Sequence, residues 1–175
     1  PIHIKLDTGM HRLGFEPHLI SELCSLLKNN NFVKVKSVFS HLAASDDLKL
    51  DDFTKLQFQR FDAMYSELEK VLPSKPIRHI LNTSGIFNYA EKQMEMVRLG
   101  IGLYGIGNSE QELKVLENVS TLKTIISQIR EVLPEESIGY SRRFRVKQKM
   151  KVATVPIGYA DGIRRAWGNE KGFVT

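Results

Sequence analysis

Apolar and polar residues alternate through residues 2–7, with Ile2, Ile4 and Leu6 opposing His3, Lys5 and Asp7, and this period predicts a strand. The period then lengthens. Leu19, Ile20, Leu23, Leu26 and Leu27 recur at helical spacing over residues 17–29. Residues 33–41 alternate again as a strand. Residues 48–72 predict a long helix with Phe53, Leu56, Phe61, Met64, Leu68 and Val71 on one face, stopped by Pro73. A short strand at 77–81, a helical turn at 84–89 and a fourth strand at 96–99 complete the series. Strands separated by helices imply parallel pairing through right-handed crossovers. From about residue 115 the helices disappear. Residues 120–132, 137–144 and 149–156 read as antiparallel strands, and residues 171–175 read as the start of another. The chain is therefore expected to be α/β over residues 1–114 and to begin a second, mostly antiparallel β domain over 115–175.

Composition adds limits. The hydrophobic fraction of 42% supports a core, and the net charge of +5 is spread along the chain. The densest basic stretch, residues 142–151, lacks interleaved aromatics beyond Phe144 and reads as a solvated hairpin face rather than a nucleic-acid patch. Cys24, among Leu23, Leu26 and Leu27, reads as a reduced core residue. No apolar run suggests a membrane span, and Lys5, Asp7 and Arg12 interrupt any signal-peptide pattern, so a cytoplasmic protein is expected. The chain opens directly on a strand and a glycine-bearing loop, and both ends read as cut.

The candidate chemistry collects at the C-terminal ends of the predicted strands: Arg12 after the first, His41 after the second, Thr83 after the third, and Arg98 with Gly100 after the fourth. A (β/α) barrel builds its active site there. Lys5 shares the face of His3 and Asp7. An inward lysine is unfavourable unless paired or modified, whereas an arginine in a loop suits a carboxylate. Without context both also fit an ordinary surface. Gly100-Ile-Gly-Leu-Tyr-Gly105 matches a dinucleotide fingerprint, but no amphipathic helix follows, so a phosphate cup or a tight turn is the better reading. His41 stands near Asp46 and Asp47 without a second His or Cys at ligand spacing, and a metal is set aside. Tyr159, in Gly158-Tyr159-Ala160-Asp161-Gly162 with Arg164 and Arg165 nearby, fits either a proton-transfer group or a packing residue in a turn.

Taken in order, H-I-K-L-D-T-G-M-H-R-L-G (3–14), F-S-H-L-A-A-S-D (39–46), H-I-L-N-T-S-G-I (79–86), V-R-L-G-I-G-L-Y-G (97–105) and P-I-G-Y-A-D-G-I-R-R (156–165) resemble alanine racemase. The resemblance implies the later half of a (β/α)8 TIM-type barrel, then the β domain, with pyridoxal 5′-phosphate (PLP) as cofactor and a head-to-tail homodimer. It implies L-alanine/D-alanine interconversion for peptidoglycan precursors. By the same resemblance Arg98 faces the PLP pyridine nitrogen, and Gly100 and Ile101 offer N–H groups to its phosphate. Thr83 falls where a phosphate-binding serine is usual, with Ser84 as the alternative. Arg12 orients the substrate carboxylate, and Lys5 resembles a lysine that is often carbamylated. Tyr159 resembles the catalytic tyrosine that reaches the other subunit's PLP, with His41 as its hydrogen-bonding partner. Tyr140 matches a tyrosine near the substrate entrance.

The departures also carry expectations. None of the lysines here has the K-A-x-A-Y-G setting of the family's Schiff-base lysine, which is expected upstream of Pro1. A racemase for another amino acid, or a non-catalytic PLP- or partner-binding domain of a larger fusion, stays as an alternative. The 175-residue chain alone is expected to be inactive and to form no PLP–lysine adduct that borohydride fixes. Recovery of such an adduct by peptide mapping would refute this.

Overall fold

A computed structural model describes residues 1–168 and 172. Two compact units divide the chain, Pro1–Ser120 and Thr121–Thr175. In the first, β1 (Ile2–Lys5), α1 (Ile20–Lys28), β2 (Val35–Phe39), α2 (Asp51–Glu69) and β3 (Ile77–His79) alternate. The strands form a parallel sheet in the order β1-β2-β3. Short strands suffice because α1 and α2 seal one face. Ile4 and Leu6 of the β1 segment and Val38 of β2 pack with Ile20 and Leu23 of α1 and with Phe58, Phe61, Met64 and Leu68 of α2. Each such side chain contributes about 1.5–3 kcal/mol on burial. His3 and Lys5 alternate away from that core, which leaves the other sheet face to polar groups.

The helices begin and end for local reasons. A 3-10 turn at Pro17–Leu19 precedes α1, with proline where its missing N–H costs no helical bond. Asp47 caps a second 3-10 turn, Leu48–Leu50, by accepting the Lys49 N–H at 3.0 Å. α2 stops at Glu69, where the N–H groups of Val71 and Leu72 both return to the Leu68 carbonyl. α3 (Thr83–Asn88) is capped by Asn82, whose side chain accepts from the Gly85 N–H at 3.0 Å. α4 (Glu110–Val115) is capped by Ser109 and spans the expected domain boundary.

In the first unit three expectations need correction. The inward face of α2 carries Thr54, Gln57, Phe58, Phe61, Met64, Tyr65 and Leu68, while Leu56 lies outside and Val71 beyond the helix end. The face is turned so that a fully buried glutamine enters it. No strand forms at residues 96–99. Glu95 accepts the Arg78 backbone N–H at 2.8 Å and grips the Arg78 guanidinium at 2.6–3.2 Å, so a side chain takes the donor that a neighbouring strand would have used. Only the Arg98 N–H pairs back to the Leu81 carbonyl, at 3.0 Å. Cys24 is half-buried at the margin of the core rather than inside it.

In the second unit, β4 (Gln128–Val132) pairs antiparallel with β7 (Met150–Thr154), and β5 (Ser137–Ile138) with β6 (Phe144–Arg145). The continuous strand expected at 137–144 is a hairpin instead. Gly139, Ser141 and Arg142 take positive φ values of 77°, 58° and 52°, which reverses the chain. Residues 121–126 join no ladder, so the strand expected from 120 starts late. The strand start expected at 171–175 lies, Gly172 apart, outside the described residues. Among the described residues no helix is long and apolar enough to cross a membrane.

The Arg78–Glu95 pair replaces strand pairing at the edge of β3, so its titration should register in stability. The Arg78 guanidinium first, with the Arg78 N–H, holds the Glu95 carboxyl down at about 2 from an ordinary 4.5. A depressed carboxylate stabilises the fold above its unfolded pKa and loses that contribution as pH falls through the folded value. Both side chains are over a third exposed, so the expected loss in Glu95→Gln near neutrality is on the order of 1 kcal/mol. Urea titrations should show the gap between wild type and variant constant above about pH 5 and shrinking toward pH 2. A gap independent of pH would refute the assignment.

Candidate active site

Asp7 builds the first turn. One of its carboxylate oxygens accepts the N–H groups of Gly9, Met10 and His11 at 2.9–3.0 Å. Burial pushes the Asp7 carboxyl up, but these donors and His11 outweigh it and hold the pKa below the ordinary value. The Phe15 N–H then returns to the Lys5 carbonyl at 2.9 Å. Gly14 closes the loop at φ +123°, and a Cβ there would stand 2.9 Å from the Asp7 nitrogen, so only glycine fits. Arg12 rides exposed on this loop, without an ion pair among the described residues. Lys5 is half-buried at the end of β1.

Arg98 organises the ends of β2 and β3. Its Nη1 donates to the His79 carbonyl at 3.2 Å and to the His79 ring Nδ1. Its Nη2 donates to the Ser40 carbonyl at 2.5 Å and to His41 Nδ1 at 3.1 Å. The guanidinium also lies 5.3 Å over the Phe39 ring, on which His79 stacks at 4.9 Å. Of its five N–H donors, Nε alone has no partner among the described residues.

The tautomers follow from this geometry. Arginine only donates, so both histidines accept at Nδ1 and carry their proton at Nε2. His79 Nε2–H then donates to Ser37 Oγ at 3.2 Å, and Ser37 Oγ makes a second hydrogen bond, of 2.7 Å, with His3 Nδ1. Burial first, then Arg98 and His3, pushes His79 down to about 4. Burial, then Arg98, Arg12 and Lys5, lowers His41. Every charge acting on His41 is therefore a cation.

At the end of β3, Thr83 Oγ1 accepts the N–H groups of Gly100 and Gly102 at 3.0 and 3.2 Å. A Cβ on Gly102 would meet Thr83 at 2.6 Å. The Thr83 hydroxyl proton is left to donate elsewhere. Ser84 Oγ accepts from Asn108 Nδ2 at 3.0 Å. Ile101 follows Gly100 into a 3-10 turn, Ile101–Tyr104, ended by Gly105 at φ 76°.

Lys5, His41, Thr83, Arg98 and Gly100 thus stand at one end of the sheet, with Arg12 near enough to act on His41. Tyr140 and Tyr159 belong to the second unit. Tyr140 is exposed in the hairpin turn. Tyr159 opens a 3-10 turn, Tyr159–Asp161, closed by Gly162 at φ +88°. With Leu122, Val155, Ile157 and Trp167 it lines a mostly apolar recess of about 460 Å³. Sequence reasoning missed His79 and Gln57. His79 ends its strand as His41 does, and Gln57 interrupts an apolar helix face, so both left a readable signal. Among the described residues no group of three or more His, Cys, Asp or Glu side chains could hold a metal ion.

Residues 1–108 match the family model for the alanine racemase N-terminal domain, and residues 119–175 that for the C-terminal domain. Alanine racemase 1 of Oceanobacillus iheyensis is 36% identical over 99% of this chain and 46% of its own length. The alanine racemase of Clostridium tetani is 38% identical over 99% of this chain and 46% of its own. The chain thus spans about half the length of the curated relatives it matches. Alanine racemase from the D-cycloserine producer Streptomyces lavendulae superposes with a TM-score of 0.81 at 28% identity, over 93% of this chain and 44% of that one. The Bartonella henselae enzyme with covalently bound pyridoxal phosphate gives 0.72 at 27%, over 93% and 44%. On two domain models in register and relatives this similar, the chain belongs to the alanine racemase family.

Proposed function

We propose that the protein carrying this chain is a PLP-dependent alanine racemase that interconverts L- and D-alanine. The observation that carries the reading is Arg98, a guanidinium with four donors committed and Nε left to offer a fixed, permanently charged donor. Such a donor suits a pyridine nitrogen that must stay unprotonated. When bound, PLP would supply an electron sink for the alanine Cα carbanion, and Arg98 limits how far charge spreads into its ring.

The other residues fit the same group. Thr83 holds two glycine N–H groups and keeps a hydroxyl proton for a phosphate oxygen, and Ser84, Gly100 and Ile101 flank it. Lys5 and Arg12 extend the cationic field toward a substrate carboxylate, which Arg12 can hold bidentately. Carbamylation of Lys5 would place an anion opposite Arg12 and orient it.

His41 presents Nε2–H away from Arg98, a donor suited to a tyrosine oxygen. In the proposed reaction that oxygen belongs to Tyr159 of the partner subunit in a head-to-tail homodimer, and it exchanges the Cα proton on one face of the substrate. Tyr140 lies at the substrate entrance. The first unit forms the later half of a (β/α)8 barrel, and the product serves cell-wall precursor synthesis in a bacterial cytoplasm.

In the PLP-loaded protein carrying this chain, Tyr159→Phe should lower racemisation by about 10²–10⁴-fold, the range for one lost acid–base group. In deuterated water, Cα exchange should persist for one alanine enantiomer and vanish for the other, as followed by NMR. Unchanged racemisation would refute the role of Tyr159. A wild-type protein faster on another amino acid than on alanine would refute the substrate.

A further inference from the structure

Gln57 sits in the middle of α2, is fully buried, and makes its hydrogen bonds to Thr8, His41 and Ala43 alone among the described residues. A glutamine there is unfavourable unless its amide is satisfied. All of it is used. Nε2 donates to Thr8 Oγ1 and to the His41 carbonyl, both at 3.1 Å, and Oε1 accepts the Ala43 N–H at 2.9 Å. The reversed amide would set oxygen against the His41 carbonyl and nitrogen against the Ala43 N–H, so its orientation is determined by its partners.

The chain of donors continues. The Ser40 hydroxyl donates to the Leu6 carbonyl at 2.7 Å, so across the 2.8 Å Thr8–Ser40 contact the proton belongs to Thr8. The run is Gln57 amide to Thr8 hydroxyl to Ser40 hydroxyl to Leu6 carbonyl, each group donating once along it. Arg60, one turn further along α2, donates to the Thr8 carbonyl at 3.2 Å. The Ser40 carbonyl is one of the acceptors that hold Arg98. One helix side chain therefore touches both the loop that carries Arg12 and the turn that carries His41.

We infer that Gln57 is a positioning residue, whose amide locks the turn after β1 to the turn after β2 and thereby sets where Arg12 and His41 stand, a role that rests on the racemase reading. A space-filling role alone does not account for three directed hydrogen bonds to two different turns. An apolar side chain of the same length would fill the volume equally well.

Two variants of the PLP-loaded protein test this. Gln57→Met keeps the volume and removes all three bonds. Thr8→Val removes the link to the Arg12 loop and leaves the amide on His41 and Ala43. With Gln57→Met, kcat should fall about tenfold or more and KM for alanine should rise, as expected when reacting groups shift by a fraction of an ångström to an ångström. By ¹⁵N NMR of the imidazoles, His41 should titrate closer to its ordinary value, as it hydrates and moves from Arg98, Arg12 and Lys5. With Thr8→Val, KM should rise while kcat and the His41 titration stay near wild type. A folded Gln57→Met protein with wild-type KM, kcat and His41 titration would overturn the inference. A Thr8→Val protein with wild-type KM would do so even if Gln57→Met failed to fold. Should the wild-type protein racemise no amino acid, the proposed function falls, and the His41 titration alone still decides whether Gln57 sets that turn.

Discussion

A half-buried guanidinium is tolerated only when its N–H groups find acceptors, and that constraint on Arg98 organises one end of the first unit. Backbone carbonyls from two strand ends and two imidazoles converge on it. Burial lowers its pKa, yet an arginine keeps its proton. The neighbours adapt instead. Both histidines are depressed and stay neutral, and their tautomers follow from the direction in which Arg98 donates. Phe39 covers one face of the cation, and Nε is the donor without a partner among the described residues. Charge, tautomer and orientation in this region trace to one side chain.

The scaffold around that cation is divided by face. Leucine, isoleucine and phenylalanine hold the sheet to α1 and α2, while the strand ends are held by polar side chains: Asp7 under the first loop, Gln57 between the first and second, Asn82 at the start of α3. Non-directional burial sets which elements meet. It does not set the position of a loop to a fraction of an ångström, and catalysis needs that precision. Directed hydrogen bonds from otherwise satisfied, buried amides and carboxylates supply it.

Much of this was legible in the sequence. The alternation of residues 2–7 and 33–41, and the helical spacing between and after them, led to β1, α1, β2 and α2 in order. Lys5, Arg12, His41, Thr83, Arg98 and Gly100 were readable because each lies on or follows a predicted strand. The fourth strand failed because a short, mostly apolar run at 96–99 is indifferent to what pairs with the β3 edge, and Glu95 reached that edge first. The hairpin inside 137–144 failed because Ser141 and Arg142 adopt positive φ, which neither residue type announces. Gln57 was hidden by the same averaging that found α2. A periodicity count treats one polar residue on an apolar face as noise, while physically it is the least free position on that face.

The proton inventory narrows what His41 can do in the proposed reaction. Its Nδ1 lone pair is occupied by Arg98, and its Nε2 already carries a proton. To act as a base it would have to break the bond to Arg98 and become a second cation beside it. At an effective dielectric of about 20 and a separation of about 4 Å, that repulsion is about 4 kcal/mol, before any cost of burying the new charge. Lys5 and Arg12 act in the same direction. His41 is therefore a donor through Nε2 and not the group that removes a proton. A donor of fixed direction, backed by a permanent cation, lowers the energy of an anion that accepts its hydrogen bond. A phenol oxygen at that position would be the most readily ionised oxygen acid in reach, which is the part that the proposed reaction gives to Tyr159 of the partner subunit.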